Sequence, residues 1–138
     1  IKATLVNGRN AMMPAFSAVL DSEAQRDVVH YVRSLSGLTA DNMRVQRGKP
    51  VFATNCAACH GAEGRGNQAV GAPNLTDGVW LYGSTEAIVA QSVARGRNGH
   101  MPAHGELLGE HKIHLLTAYV WGLSNNTAKA VTADSSTQ

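Results

Sequence analysis

The chain contains two cysteines, Cys56 and Cys59, which lie three residues apart and are followed at once by His60. A disulfide between them would close a loop too short to stabilise the fold much. A redox-active pair of this spacing would follow a β-strand, and no strand pattern precedes Cys56. A structural zinc site would need further ligands. Those ligands would have to come from His100, His104, His111 and His114.

The remaining interpretation of this motif is covalent attachment of a c-type haem. In such a site both sulfurs form thioethers with the porphyrin and the adjacent histidine binds iron. Only 5% of the residues are aromatic, which is few for a small domain that must bury a core. A haem is a large apolar body around which such a chain can fold. The motif therefore predicts a haem site more strongly than the three alternatives.

Length and charge exclude several other classes of protein. The 138 residues suffice for one ordinary domain or two very small ones. The formal net charge of +2 is spread along the chain without a lysine or arginine run, so we expect no nucleic-acid partner. No stretch approaches the roughly 18 apolar residues of a membrane span. The chain opens at Ile1 without a signal sequence, which suggests a processed or truncated piece.

The chain also contains an internal repeat. Residues 1–36 align without a gap onto residues 89–124, with eleven identities. The identities cluster where Gly8-Arg9-Asn10 meets Gly96-Arg97-Asn98 and where Met13-Pro14-Ala15 meets Met101-Pro102-Ala103. Methionine sulfur is a good axial ligand of haem iron, so both repeats predict a ligand loop, although a single methionine is more often an ordinary core residue.

The repeat predicts how the chain divides into domains. At the same offset, a first Cys-x-x-Cys-His motif would fall before residue 1. We therefore expect residues 1–36 to be the C-terminal part of a first domain that lacks its haem attachment motif. Residues 37–44 are predicted as a linker, residues 45–124 as the complete domain, and residues 125–138 as a polar tail without a packing face.

Hydrophobic periodicity predicts an all-α fold. Gly48, Phe52 and Cys56 recur every four residues on a short helix that runs into the haem motif, with Pro50 near its start, and Gly48 would let another helix approach closely. A second helix is predicted from Ser84-Thr85-Glu86 to about Gly96. A third is predicted over roughly 110–123, and its counterpart in the first repeat begins with a capping-box pattern at Ser22.

These motifs resemble a class I cytochrome c domain over nearly all of residues 45–124. The resemblance rests on Gly48-x3-Phe52-x3-Cys56-Ala-Ala-Cys59-His60-Gly61, on Gly71-Ala72-Pro73-Asn74-Leu75 and on Met101-Pro102. The tandem copy, together with Asn74-Leu75-Thr76-Asp77, Trp80-Leu81-Tyr82-Gly83 and the segment from Gly96 to Ala103, is similar to the dihaem cytochrome c subunit of a cbb3-type oxidase. That subunit has an N-terminal membrane helix and two periplasmic haem domains, and neither the helix nor the first attachment motif is present here.

The resemblance implies a ligand set for the haem. Cys56 and Cys59 would form the thioethers, His60 would be the proximal ligand and Met101 the distal one. The Pro73 carbonyl would accept the other ring N–H of His60. The resemblance further suggests that the haem propionates contact Trp80, Tyr82 and Arg97, for which plain packing or solvation is the alternative.

Met13 has no haem motif of its own in this chain. It would be idle, would serve a first haem attached upstream, or, in a crossed arrangement of the repeats, would bind the haem on Cys56 instead of Met101. Because residues 45–124 follow the loop and helix order of a complete domain, we expect Met101.

The implied function is one-electron transfer without catalysis by this chain alone. The resemblance implies one covalent haem c here and a second upstream. It implies a donor cytochrome and the oxidase catalytic subunit as partners, and a position on the periplasmic side of a bacterial inner membrane, with membrane association only through the missing N-terminal anchor. A free dihaem shuttle cytochrome and a haem-based ligand sensor or peroxidase are the alternatives.

Overall fold

The computed structural model describes the backbone of residues 1–134 and the side chains of residues 1–123 and 125. These residues form six helices and two short strands, in the order α1 (Lys2–Asn7), β1 (Arg9–Met13), α2 (Ser22–Leu35), α3 (Asn42–Asn55), α4 (Ala57–His60), α5 (Glu86–Arg95), β2 (Arg97–Met101) and α6 (Gly105–Asp134). Strands β1 and β2 pair in a two-stranded sheet. The fold is therefore mostly helical, and the prediction of an all-α fold missed this sheet. Within residues 1–134 we find no helix with the length and hydropathy needed to cross a membrane.

Polar side chains determine where the helices begin. The carboxylate of Asp21 accepts the Ala24 N–H at 2.8 Å and caps α2, so the cap lies one residue before the predicted Ser22. Asp41 caps α3 in the same way, and Pro50 lies well inside this helix rather than near its start as predicted. Helix α5 is capped by Thr85 and ends before Gly96, as predicted.

The last helix differs more from its prediction. Gly109 has a φ of 70°, so the regular part of α6 resumes at residue 110, where the sequence predicted the helix to begin. It continues to Asp134, through most of the segment predicted as a polar tail. The remainder of that segment, residues 135–138, lies outside the described residues.

The chain folds into two compact units that do not coincide with the two repeats. The core unit comprises Ala11–Gly99, and the terminal unit comprises Ile1–Asn10 with the described residues from His100 onward. Of the segment predicted as the complete domain, residues 45–99 belong to the core unit and residues 100–124 to the terminal unit. The core unit takes Met13 and α2 from the first repeat, most of α5 from the second, and the cysteine motif from the segment between the repeats. Met101 and α6 belong to the terminal unit, with α1.

The short connection between α2 and α3 is one physical reason for this arrangement. Only residues 36–41 separate the two helices. Short helix-to-helix connections favour packing of the two helices they join. Helices α2 and α3 make the most extensive helix pairing in the described structure. Gly48 allows this pairing, because a Cβ at that position would lie 2.1 Å from the Asp27 carbonyl oxygen. The predicted role of Gly48 in close helix approach is thus confirmed.

A buried carboxylate joins the same two helices. Asp27 on α2 is 5% exposed. It accepts hydrogen bonds from Arg44 Nη1 at 2.8 Å and from Arg47 Nε and Nη2 at 2.8 and 3.0 Å. These hydrogen bonds, that of Arg47 above all, lower the pKa of the Asp27 carboxyl against the opposing effect of burial. Arg44 also binds Glu23, one turn earlier on α2.

The hydrophobic core of the core unit lies between α2, α3 and α5. Its buried members are Val28, Val29, Val32, Phe52, Val89 and Val93. The rings of Tyr31 and Phe52 pack with their centroids 5.2 Å apart. Helix α2, from the first repeat, thus provides half of the buried apolar side chains around the helix that leads into the cysteine motif.

We expect Asp27→Asn to reduce the free energy of unfolding by about 2 kcal/mol, because it replaces charge-assisted hydrogen bonds in a buried position. Denaturant unfolding measures the loss. Glu63→Gln is the control, since its pair with Arg65 is three-quarters exposed and should contribute almost nothing.

The loss should also depend on pH in a defined direction. Because the folded-state pKa of Asp27 is lowered, its contribution is present above the ordinary aspartate pKa of about 3.9 and is lost as the pH falls through the folded value. The difference between wild type and Asp27→Asn should therefore be constant near neutral pH and shrink in acid. A difference that does not change with pH would contradict this account.

Candidate haem-binding site

The cysteine motif forms a single helical turn at the end of α3. Cys56 is both the C-cap of α3 and the N-cap of α4. Its carbonyl oxygen accepts a hydrogen bond from the His60 N–H at 2.9 Å. Residues three and four apart share one face of a helical turn. Cys56, Cys59 and His60 therefore lie on the same side of this helical turn. A haem bound through both sulfurs and the histidine requires this arrangement.

The two thiols have different surroundings. Neither is in a disulfide, and Cys59 is exposed while Cys56 is partly buried. Burial, and to a smaller extent the neighbouring Cys59, raises the pKa of the Cys56 thiol to about 11. Cys56 is therefore a neutral thiol at physiological pH. It also packs against the hydrophobic core of the core unit.

The His60 ring is buried and has a fixed orientation. His60 is 9% exposed to solvent, and its Nδ1 donates to the Pro73 carbonyl oxygen at 3.1 Å. Because a carbonyl only accepts, this contact assigns the proton to Nδ1 and leaves the Nε2 lone pair available to a metal. The structure thus brings His60 and Pro73 together as the resemblance implied.

A glycine turn holds Pro73 in reach of His60. The Gly66 N–H donates to the His60 carbonyl at 2.7 Å, and Asn67 and Ala72 exchange two backbone hydrogen bonds. Gly66 has a φ of 82°, and a Cβ there would lie 2.7 Å from the backbone on either side of Pro73. Only glycine fits this position without displacing the segment that carries the Pro73 carbonyl.

The two candidate methionines lie in different units. Met13 belongs to the core unit and packs against the same hydrophobic core as Cys56. Its loop is held by Gly96, where a Cβ would lie 2.3 Å from the Met13 carbonyl oxygen, and by the Phe16 N–H, which donates to Val93. Met101, expected as the distal ligand, belongs to the terminal unit instead. Helix α2 and the loop that precedes it belong to the core unit.

The three residues predicted to contact propionates lie in the core unit. Trp80 packs against the hydrophobic core, and Tyr82 is about half exposed. The Arg97 guanidinium lies over the Tyr82 ring, 4.4 Å from its centroid. Sequence reasoning missed the two residues that bind Arg97, namely Ser92 and Gln91. The alignment of Thr4 with Ser92 and of Arg9 with Arg97 was the available signal.

The structure gives no support to the zinc interpretation. His100, His111 and His114 are exposed. Among the side chains that the structure describes, no three His, Cys, Asp or Glu residues come close enough together to hold a metal ion.

The donor set of the core unit fits a haem c. It offers two free thiols on one helical turn, an imidazole with its Nε2 available, and a methionine thioether against the same core. Thioether-forming cysteines followed by histidine, with methionine as second ligand, define the site of a c-type cytochrome.

Comparison with known proteins identifies the family. A family model described as cytochrome c oxidase, cbb3-type, subunit III matches residues 43–120. The chain therefore belongs to this cytochrome c family, as the resemblance indicated. Membership of a cytochrome c family implies covalently bound haem c.

Curated relatives carry the corresponding names. The chain is 46% identical over 114 residues to the cbb3-type cytochrome c oxidase subunit FixP of Azorhizobium caulinodans, which covers 82% of this chain and 39% of that protein. It is 42% identical over 131 residues to the subunit CcoP of Rubrivivax gelatinosus, covering 94% of this chain and 43% of the relative. The chain thus spans about two fifths of the length of these relatives.

We expect Gly66→Ala to destabilise the haem-loaded chain by about 2 kcal/mol, because alanine is strained at positive φ and its Cβ would push the Pro73 segment away. Thermal unfolding measures this loss. Gly78→Ala is the matched control, since a Cβ at Gly78 meets no atom within 4 Å. Equal stability of the two variants would show that the turn does not hold Pro73 in place.

Proposed function

We propose that this chain transfers single electrons by means of a haem c bound covalently at Cys56 and Cys59, with His60 and Met13 as axial ligands. The observation that carries the proposal is the composition of the core unit. It combines the attachment motif, the oriented His60 ring and the Met13 loop around one hydrophobic core. Met101 belongs to the terminal unit, which favours Met13 as the distal ligand.

The residues of the core unit have distinct tasks in this proposal. Donation from His60 Nδ1 to Pro73 keeps the imidazole in one tautomer and makes Nε2 a better ligand. When bound, the haem supplies the ferric and ferrous states between which one electron is exchanged, and methionine–histidine ligation raises its potential. With His60 and Met13 both bound to it, the haem iron would have no open position for a substrate. The chain alone is therefore an electron carrier rather than an enzyme.

The proposed partners follow from the family. The relatives are named as subunits of a cbb3-type cytochrome c oxidase. We infer that this chain takes electrons from a donor cytochrome and passes them towards the catalytic subunit of such an oxidase, on the periplasmic side of a bacterial inner membrane. A second haem, attached upstream of residue 1 in the longer protein, would use Met101, which belongs with α1 and α6 to the terminal unit.

The absorption spectrum of the haem-loaded chain, oxidised and reduced, tests the proposed function. We expect a low-spin c-type spectrum that carbon monoxide does not change, because both axial positions are occupied by the chain. A spectral change on adding carbon monoxide would show an open sixth position, and would favour the ligand sensor or peroxidase instead.

Paired methionine variants test the assignment of the distal ligand. We expect Met13→Ala to convert the haem to a carbon monoxide-binding form and Met101→Ala to leave the spectrum of this chain unchanged. Met13→His should restore a six-coordinate haem of lower potential, which shows that the position itself reaches the iron. The opposite result, with Met101→Ala opening the site, would show that residues 45–124 fold on themselves.

A further inference from the structure

The guanidinium of Arg97 is held in one orientation by three neighbours. Its Nε donates to the Ser92 Oγ at 2.9 Å, its Nη2 donates to the Gln91 Oε1 at 3.4 Å, and its carbon lies over the Tyr82 ring. Ser92 and Gln91 are on α5, two turns or less before Arg97. All three neighbours are uncharged, so they orient the cation without neutralising it.

The direction of the Ser92 hydroxyl is also fixed. Its proton is donated to the Ile88 carbonyl at 3.0 Å, one turn earlier on α5. The Ser92 oxygen is therefore left to accept the hydrogen bond from Arg97. This i to i−4 bond makes Ser92 a defined support for the guanidinium rather than an adaptable one.

The first repeat carries the same arrangement. Arg9 Nε donates to the Thr4 Oγ1 at 3.1 Å, and the alignment of the repeats pairs Thr4 with Ser92 and Arg9 with Arg97. In both repeats a glycine with φ near 70° ends the helix directly before the arginine. Two different hydroxyl residues thus preserve one hydrogen bond, which indicates that the bond to the arginine matters more than the identity of its acceptor.

The Arg97 guanidinium has further N–H groups that can bind an anion. A guanidinium has five N–H groups, of which two are used here. Among the residues that the structure describes, no carboxylate lies within ion-pair distance of Arg97. A partly buried guanidinium of fixed orientation is suited to bind a carboxylate through two parallel hydrogen bonds.

Arg97 lies close to the residues of the proposed haem site. The preceding residue, Gly96, lies against the Met13 loop, and α5 contributes Val89 and Val93 to the hydrophobic core that also contacts Cys56. Arg97 is therefore next to the proposed haem site. A haem carries two propionate groups, each of which ends in a carboxylate.

We propose that Ser92 is a positioning residue, whose hydroxyl aims the Arg97 guanidinium at a propionate of the haem in the core unit and thereby raises the haem reduction potential. A cation fixed beside the haem favours the reduced state, since that state carries one positive charge fewer on iron. The inference rests on the proposed function, because it requires a haem at Cys56 and Cys59.

The test is the midpoint potential of the haem-loaded chain, measured by spectroelectrochemistry. We expect Arg97→Gln to lower the potential, so that the ratio of ferric to ferrous haem at a fixed applied potential rises about tenfold. This is the effect of removing a unit charge about 10 Å from the iron at an effective dielectric constant of about 20. Arg95→Gln is the control. It removes an equal charge two residues away, from an exposed side chain at the end of α5, and should shift the potential much less.

A matched pair of variants isolates the Ser92 hydroxyl. Threonine and valine have nearly the same shape and differ by the hydroxyl group. We expect Ser92→Thr to keep the wild-type potential, because threonine can form the same bond to the carbonyl one turn earlier and already occupies the equivalent position 4. We expect Ser92→Val to lower the potential, by less than Arg97→Gln does.

Each outcome can be separated from failure of the proposed function. Absence of a low-spin c-type spectrum from the wild-type chain would contradict the proposed function itself. With that spectrum intact, equal potentials for the valine and threonine variants would overturn the role of Ser92. Equal shifts for Arg95→Gln and Arg97→Gln would show that only the overall charge matters.

Discussion

The buried contact between Asp27 and the two arginines of α3 is the interaction on which the rest of the core unit depends. It joins α2 to α3, the helix that leads into Cys56. Among the described helices of the first repeat, α2 alone contributes to the hydrophobic core. Gly48 lets the two backbones approach where these side chains meet. If α2 were not held there, Val28, Val29 and Val32 would be missing from the core against which Cys56 packs.

The same contact explains why α2 rather than α6 belongs to the core unit. In the second repeat the positions of Glu23 and Asp27 are taken by His111 and Leu115. Helix α6 therefore has no carboxylate at these two positions to offer Arg44 and Arg47. An uncompensated pair of arginines on α3 would be costly in a partly buried interface, so the charges add to the preference that the six-residue connection between α2 and α3 already creates.

Much of the local structure could be predicted from the sequence. The bounds of α5 and the need for glycine at position 48 follow from short-range spacing, and the structure agrees with both. The resemblance gave the family, which the comparisons confirm. The Pro73 partner of His60 also came from that resemblance, and the structure shows the contact.

What the sequence could not reveal was which parts of the two repeats fold together. The alignment treats Met13 and Met101 as equivalent, and the choice between them depends on long-range packing of α2. Asp27 appeared as one carboxylate among ten acidic residues, because its two arginines become visible only when α2 and α3 are side by side. The two strands were missed because both five-residue segments begin with arginine and asparagine, and the second also contains glycine, so neither gives a clear alternating pattern.

The exchange of helices between the repeats has a consequence for the history of this chain. Tandem copies usually begin as interchangeable parts, and one of them can be deleted while the other survives. Here the core unit combines both copies, since α2 with Asp27 and Met13 comes from residues 1–36 and most of α5 comes from residues 89–124. Deletion of residues 1–36 would remove α2, with three of the six buried hydrophobic residues of the core unit, and deletion of residues 89–124 would remove Val89 and Val93. Neither copy could therefore be deleted without removing part of the hydrophobic core of the unit that remains.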